Sequence, residues 1–198
     1  MTDFPWFKFY EEKLPRTLKP YPEITLLDVV SETVRLRPEH TALIFKGARI
    51  SYAELDRLSD QLAAALVELG VQKGERVAFL LPNSPQAAIA QIGAWKAGAI
   101  VAPMNSLYTE RELEQALNEI EVETVIVLTP FYAKLKSVQK KTSVKRVIAT
   151  NIKEYLPPVL RLLFTIAKEK KEGHRITIEP GDHWWGDLMH KHAQSPRP

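Results

Sequence analysis

The chain has 198 residues, enough for one α/β domain with a real core and too few for two large ones. A hydrophobic fraction of 45% with 26% charged residues excludes a disordered composition, and 27 basic against 24 acidic residues, a formal +3, give little reason to expect nucleic acid as a partner. The absence of cysteine removes disulfides, thiolate catalysis and zinc-thiolate sites, which suits a reducing cytosol.

The first residues, Met1 to Tyr10, carry Asp3 and several aromatics where a secretory signal would have a basic stretch and an apolar run. No segment approaches the roughly 20 apolar residues of a membrane-spanning helix. The expected location is therefore cytoplasmic, with peripheral contact as the form of membrane association left open. Up to residue 24, Pro5, Pro15, Pro20 and Pro22 lie among Trp6, Phe7, Phe9 and Tyr10, which predicts an extended arm whose aromatics pack across the body.

Thr25 is placed to cap a helix carrying Leu26, Leu27, Val30 and Val34 at helical spacing, stopped by Pro38. Ala42 to Phe45 and Arg49 to Ser51, joined at Lys46-Gly47, predict a hairpin. Ser51 and Glu54 have the spacing of a capping box, opening a helix whose face is Leu55, Leu58, Leu62, Ala65, Leu66 and Leu69 and whose end is Gly70. Gly74 marks a turn before a short buried strand, Arg76 to Leu81.

The pattern then repeats. Ser84 as cap and Pro85 at the first helical position predict a helix to Lys96, then Gly98 and a strand from Ala99 to Met104. Thr109 and Glu112 form a second capping box for a helix through Leu113, Ala116, Leu117 and Ile120, leading to a strand at Thr124 to Leu128. A weaker helix at Tyr132 to Lys140 and a strand at Arg146 to Ala149 follow. Such alternation predicts an α/β fold with a mostly parallel sheet, helices on both faces and right-handed crossovers. Beyond Thr150 the pattern changes to an apolar helix over Pro158 to Ala167, a lysine-rich stretch, an edge strand at Arg175 to Ile178, a short helix from Trp184 to His192 and a fraying end. The organisation expected is an arm (1–24), an α/β body (25–150) and a mixed terminal segment (151–198).

Few residues suggest chemistry on their own. The 8 glycines are scattered, with no GxGxxG or GxxxxGK[ST], so Gly70 and Gly74 read as a helix end and a turn, not a phosphate cradle. His183, His190 and His192 lack zinc-ligand spacing and read as exposed helix residues. Ser51, Ser84 and Thr109 are explained as caps and are not nucleophile candidates. Lys134, Lys136, Lys140, Lys141, Lys145 and Arg146 read as a solvated face, with a docking surface for a phosphorylated ligand as the alternative. No catalytic residue and no metal site is expected within the chain.

Five motifs in order carry more information: Ser51-Tyr52-Ala53-Glu54-Leu55, Gly70 to Ala78, Leu81-Pro82-Asn83-Ser84-Pro85, Lys96-Ala97-Gly98-Ala99 and Asn105 to Leu113. This succession resembles the start of the adenylate-forming (AMP-binding) enzymes. Pro5-Trp6-Phe7, Tyr10, Pro15 and Pro22-Glu23-Ile24 are similar to the bacterial long-chain fatty-acid CoA ligase branch in particular. The resemblance implies the first subdomain of the large domain of an enzyme that uses ATP and magnesium to convert a carboxylic acid to an acyl-adenylate and then transfers the acyl group to coenzyme A. The family's phosphate loop, its later ATP motifs and its lid lysine are not in this sequence, so the segment alone is expected to bind no cofactor and to be inactive. Ser106 stands where the family often has proline. The same resemblance puts Asn105 and Tyr108 near the coenzyme A groove.

It further implies the remainder of a synthetase as partner, with a second copy of the chain and a membrane surface as others and no nucleic acid. The apolar helix is expected to lie on that surface through Leu160, Leu163 and Phe164. The competing readings are a segment of another acid-activating enzyme, for aryl acids or carrier-protein loading, and a non-catalytic binding module.

Overall fold

The computed structural model describes residues 4–198. Its elements run α1 (Leu26–Leu36), β1 (Thr41–Phe45), β2 (Ala48–Ser51), α2 (Tyr52–Glu68), β3 (Arg76–Leu80), α3 (Pro85–Lys96), β4 (Ile100–Pro103), α4 (Glu110–Glu119), β5 (Thr124–Leu128), α5 (Tyr132–Gln139), β6 (Arg146–Thr150), α6 (Pro158–Ala167), β7 (His183–Trp184) and α7 (Trp185–Lys191). β1 and β2 form the expected hairpin, turned by Lys46 and Gly47 at positive φ. The other strands make one parallel sheet in the order β4-β3-β5-β6-β7.

Alternation along the strands builds a core on each face of that sheet. Val77, Phe79, Ile126 and Ile148 join α2, α3 and α7 on one side, while Ala78, Leu80, Val125, Val127, Val147 and Ala149 join α4 and α5 on the other. On the first side α2 and α3 approach so closely that a Cβ on Gly93 would lie 3.0 Å from both Leu62 and the Ser59 carbonyl, so glycine is the residue that fits the crossing. From β3 the chain goes outward to β4 and then crosses back to β5 on the opposite side. The order in which strands are added thus reverses between β3 and β5, and the carboxyl edge of the parallel sheet opens there.

Several expectations are corrected. The arm has no buried residue among those described; its rings pack on each other, Phe4 on Trp6 at 4.6 Å and Phe7 edge-on to Tyr10 at 5.4 Å, instead of across the body. Arg175 to Ile178 is not a strand, because the place beside β6 is taken by His183 and Trp184; Ile176 and Ile178 pack on the core without joining the ladder. The three histidines also differ from expectation: His183 lies in β7, His192 is buried and bonds Ser195, and only His190 is an exposed helix residue.

The caps are informative. Thr109 and Glu112 make both halves of the box, the hydroxyl accepting from the Glu112 N–H at 3.3 Å and the carboxylate accepting from the Thr109 N–H at 2.8 Å. Ser51 accepts from the Glu54 N–H, but the reciprocal bond is missing because Ser51 also ends β2, in register with Thr41. Thr25 makes a full box with Asp28. Ser51→Ala and Thr109→Ala are each expected to lower unfolding free energy by about 1 kcal/mol, Thr109→Ala by the larger amount, in urea titrations. Among the described residues no helix is long and apolar enough to cross a membrane.

Candidate functional site

The loops at the carboxyl ends of the strands are where an open parallel sheet binds ligands, at the reversal between β3 and β5. After β3 come Leu81 to Ser84, with Ser84 capping α3 through the Ala87 N–H. After β4 come Met104 to Thr109, after β5 Thr129 to Phe131, and after β6 Asn151 to Leu156.

Asn105 and Tyr108 occupy the loop after β4. The Asn105 Oδ1 accepts from the Leu107 N–H at 3.0 Å and its carbonyl accepts from the Tyr108 N–H at 3.1 Å, so the asparagine builds the turn. Lys134 on α5 then donates to the carbonyls of Ser106 at 3.0 Å and Tyr108 at 2.6 Å. The Tyr108 ring is half-buried against the α4 and α5 side of the core, and Asn105 is exposed. The loop is therefore braced from beneath, with one exposed carboxamide and one partly open ring at the sheet edge.

Lys134 belongs to the basic run, and the structure accounts for most of the others. Lys136 pairs with Asp182 at 2.9 Å and Glu179 at 3.1 Å, Lys141 with Glu114 at 3.2 Å, Lys145 with Glu123 at 2.6 Å, and Arg146 with Glu75 and Glu123. A phosphorylated ligand would have to displace these acids. The Gly70 and Gly74 turn lies before β3, at the amino end of the sheet, with the Gly74 N–H bonded to the Gly98 carbonyl; it is remote from the edge where phosphates bind in such folds.

A buried polar network at the end of β6 escaped the sequence reading. Gln86 Nε2, in the first turn of α3, donates to the Asn151 carbonyl at 3.0 Å and to Thr150 Oγ1 at 3.3 Å, while its Oε1 is buried without a partner. Asn151 Nδ2 donates to Glu169 Oε1 at 3.1 Å and to the His174 carbonyl at 3.1 Å; Glu169 in turn pairs with Lys153 at 2.5 Å. The His174 Nδ1 lies 2.8 Å from Thr129 Oγ1, and burial lowers its basicity. Glu154 accepts from the Asn151 N–H at 2.9 Å, yet burial pushes its carboxyl up to about 7. The only local signal was the Asn151-x-x-Glu154 capping spacing. Apart from the Gln86 Oε1, these groups are spent on one another, fixing the segment from Asn151 to His174 against the sheet.

That segment and the hairpin tip enclose a groove of about 500 Å³ lined by Phe45, Ile152, Leu156, Leu160, Leu163 and Phe164. Leu160 and Phe164 line it from α6, and Leu163 also stands on the outer surface of that helix. Among the described residues no group of three or more histidines and carboxylates is placed to hold a metal ion.

Against this geometry, the sequence profile described as AMP-binding enzyme matches residues 30–193. The chain is 34% identical over 167 residues, 84% of its own length and 30% of the other, to a long-chain-fatty-acid--CoA ligase of Bacillus subtilis. Among solved structures, a long-chain-fatty-acid-CoA ligase from Archaeoglobus fulgidus superposes with a TM-score of 0.62 at 31% identity, covering 65% of this chain and 28% of that one. An anthranilate CoA ligase bound to anthranoyl-AMP superposes with a TM-score of 0.69 over 87% of this chain and 28% of that one, at 19% identity, which speaks for the fold alone.

Proposed function

Since the chain belongs to the AMP-binding enzyme family, matched over residues 30–193, we propose that it is the opening, sheet-bearing segment of an ATP-dependent long-chain fatty acid–CoA ligase. It spans about 30% of the length of the curated ligase it matches. The whole enzyme would join a fatty acid to AMP with release of pyrophosphate, and then pass the acyl group to the thiol of coenzyme A with release of AMP. The anhydride step replaces a poor leaving group on the carboxyl carbon by AMP, which the thiol displaces readily.

The observation that carries this reading is the 34% identity with the Bacillus subtilis long-chain ligase across 84% of the chain. An aryl-acid or carrier-loading enzyme is the second reading, but the anthranilate ligase likeness, at 19% identity, does not reach substrate class.

Within that enzyme the role of these residues is to position. The braced loop carrying Asn105 and Tyr108 would present one wall of the coenzyme A path, held in register by Lys134. The glycines are dispersed and, among the described residues, the polar groups at the sheet edge are mostly paired internally, which leaves few free groups for ATP or magnesium. Those ligands would be held by other parts of the synthetase, the partner this reading requires.

Two measurements test it. The purified chain with palmitate, ATP and magnesium should release no pyrophosphate above background; release would contradict its reading as an inactive segment. A chimera in which this chain replaces the matching part of the Bacillus subtilis ligase should form palmitoyl-CoA, and a folded chimera active only on aryl or short-chain acids would sink the long-chain assignment.

A further inference from the structure

The helix α6 is held by its polar side chains against the Lys153–Glu154 turn, although Arg161 itself stays exposed. The Arg161 Nε donates to the Lys153 carbonyl at 3.1 Å and its Nη2 to the Glu154 carbonyl. The Thr165 hydroxyl donates to the Arg161 carbonyl at 2.8 Å and faces the Lys153 ammonium at 3.5 Å. Phe164 sets its ring edge-on to His174 at 5.2 Å. The aliphatic side chains are left outward: Val159 is 70% exposed, Leu162 61%, Leu163 55% and Ile166 76%. These four fall on one side of a helix of 3.6 residues per turn, so they form a continuous stripe that water alone would not favour.

The flanking charge is also arranged. Lys168, Lys170 and Lys171 are exposed where the helix ends. Of the two acids among them, Glu169 is buried and paired with Lys153 at 2.5 Å, which leaves Glu172 as the exposed acid of that stretch. The surface balance next to the stripe is therefore more positive than the sequence count suggests.

We propose that α6 docks the protein on an anionic lipid surface, lying in the plane of the headgroups with Val159, Leu162, Leu163 and Ile166 inserted and the lysines facing lipid phosphate. The helix has 10 residues, about 15 Å, too short to span a bilayer but long enough to lie along its boundary. The composition separates lipid from a separate protein partner: interfaces between proteins favour aromatics and arginine and disfavour lysine, whereas this stripe is aliphatic, bordered by lysines, and the helix's one arginine lies off the stripe and bonds the Lys153 and Glu154 carbonyls. With few cations, insertion of the stripe dominates and the lysines add selectivity for negative headgroups.

The proposal rests on this surface and not on the ligase reading, so the chimera assay and the following one fail independently. Sedimentation of the chain with phosphatidylglycerol–phosphatidylcholine vesicles should show binding that is weaker on pure phosphatidylcholine. The Leu162→Glu, Ile166→Glu variant alters only exposed positions and should keep its melting temperature while losing at least about tenfold in partitioning. Lys170→Gln, Lys171→Gln should lose roughly fivefold per lysine on anionic vesicles and little on neutral ones. Absent binding by the unaltered chain, equal partitioning of the glutamate variant, or self-association abolished by the same glutamates without vesicle binding would each overturn the proposal, the last by assigning the stripe to a second copy.

Discussion

Replacing Asp56 and Asp60 together by alanine is expected to lower the unfolding free energy by about 3–5 kcal/mol, one of the two largest effects anticipated for side chains outside the apolar core. Lys96, the last residue of α3, has a side chain only 1% exposed, and its ammonium lies 2.6 Å from the Asp56 carboxylate, 2.7 Å from that of Asp60 and 2.9 Å from the Asp56 carbonyl. The two aspartates stand one turn apart on α2, so this cluster locks the closest helix pair of the fold at its end. Removing them leaves a buried ammonium with a single carbonyl to bond. The converse change is milder. The aspartate side chains are 34% and 21% exposed and keep water when the ammonium goes, so Lys96→Met, which fills the site with an apolar chain of similar volume, is expected to cost clearly less than the ~3–5 kcal/mol of stranding a buried charge. Urea titrations of both variants check the asymmetry. A double alanine variant as stable as the unaltered chain, or a methionine variant worse than it, would show that the cluster is wetter than its geometry implies.

The parts of the fold legible in the sequence are those in which one local rule acts alone. Thr124 to Leu128 is a run of β-branched and aliphatic residues with no competing helical period, and it is strand β5 with the same bounds. Thr109 and Glu112 fix the start of α4 because both partners of the box lie within one turn of chain and nothing else claims them. Where two structures compete for one residue, the local rule gives half an answer: Ser51 keeps its capping hydroxyl but belongs also to β2, and the Glu54 carboxylate is not used. Ile176 and Ile178 have the alternation of a strand, but pairing depends on what else reaches β6, and His183-Trp184 does so first.

The candidate site was less legible for the same reason at longer range. Gln86, Thr129, Asn151, Glu169 and His174 come together only because β5 and β6 are neighbours and α3 begins at the same edge. Nothing in the sequence near any one of them announces the others. For Asn105 and Tyr108 the chain order of motifs placed the loop after the fourth strand, whereas the brace from Lys134 required knowing that α5 packs beneath it. In α6 the apolar stripe could be read, but its direction could not; that is set by Arg161 and Thr165 finding their partners in the Lys153–Glu154 turn.

That turn yields the second large effect. Glu154→Gln is expected to be more stable than the unaltered chain at pH 8 by about 3 kcal/mol, and to lose this advantage as pH is lowered towards 4.5. Burial raises the Glu154 carboxyl from the ordinary 4.5 to about 7, against the opposing hydrogen bond from the Asn151 N–H, that of Thr150, and the charges of Arg161 and Lys153. The sign follows from proton counts: between these values the folded chain binds a proton that the unfolded chain has released, so stability falls as pH rises through the interval and stays low above it. The glutamine side chain of the variant never ionises and its amide oxygen can still accept from the Asn151 N–H, so the penalty should vanish. His174 acts in the opposite sense, because burial lowers its basicity and protonation of the unfolded chain costs stability as pH falls below about 6.5. The total profile mixes the two, and the difference between variant and parent isolates Glu154. Unfolding free energies measured from pH 4.5 to 8 test this: a difference that is flat with pH would mean that Glu154 is ionised in the folded protein throughout, its carboxylate stabilised by Lys153 and Arg161 more than burial disfavours it.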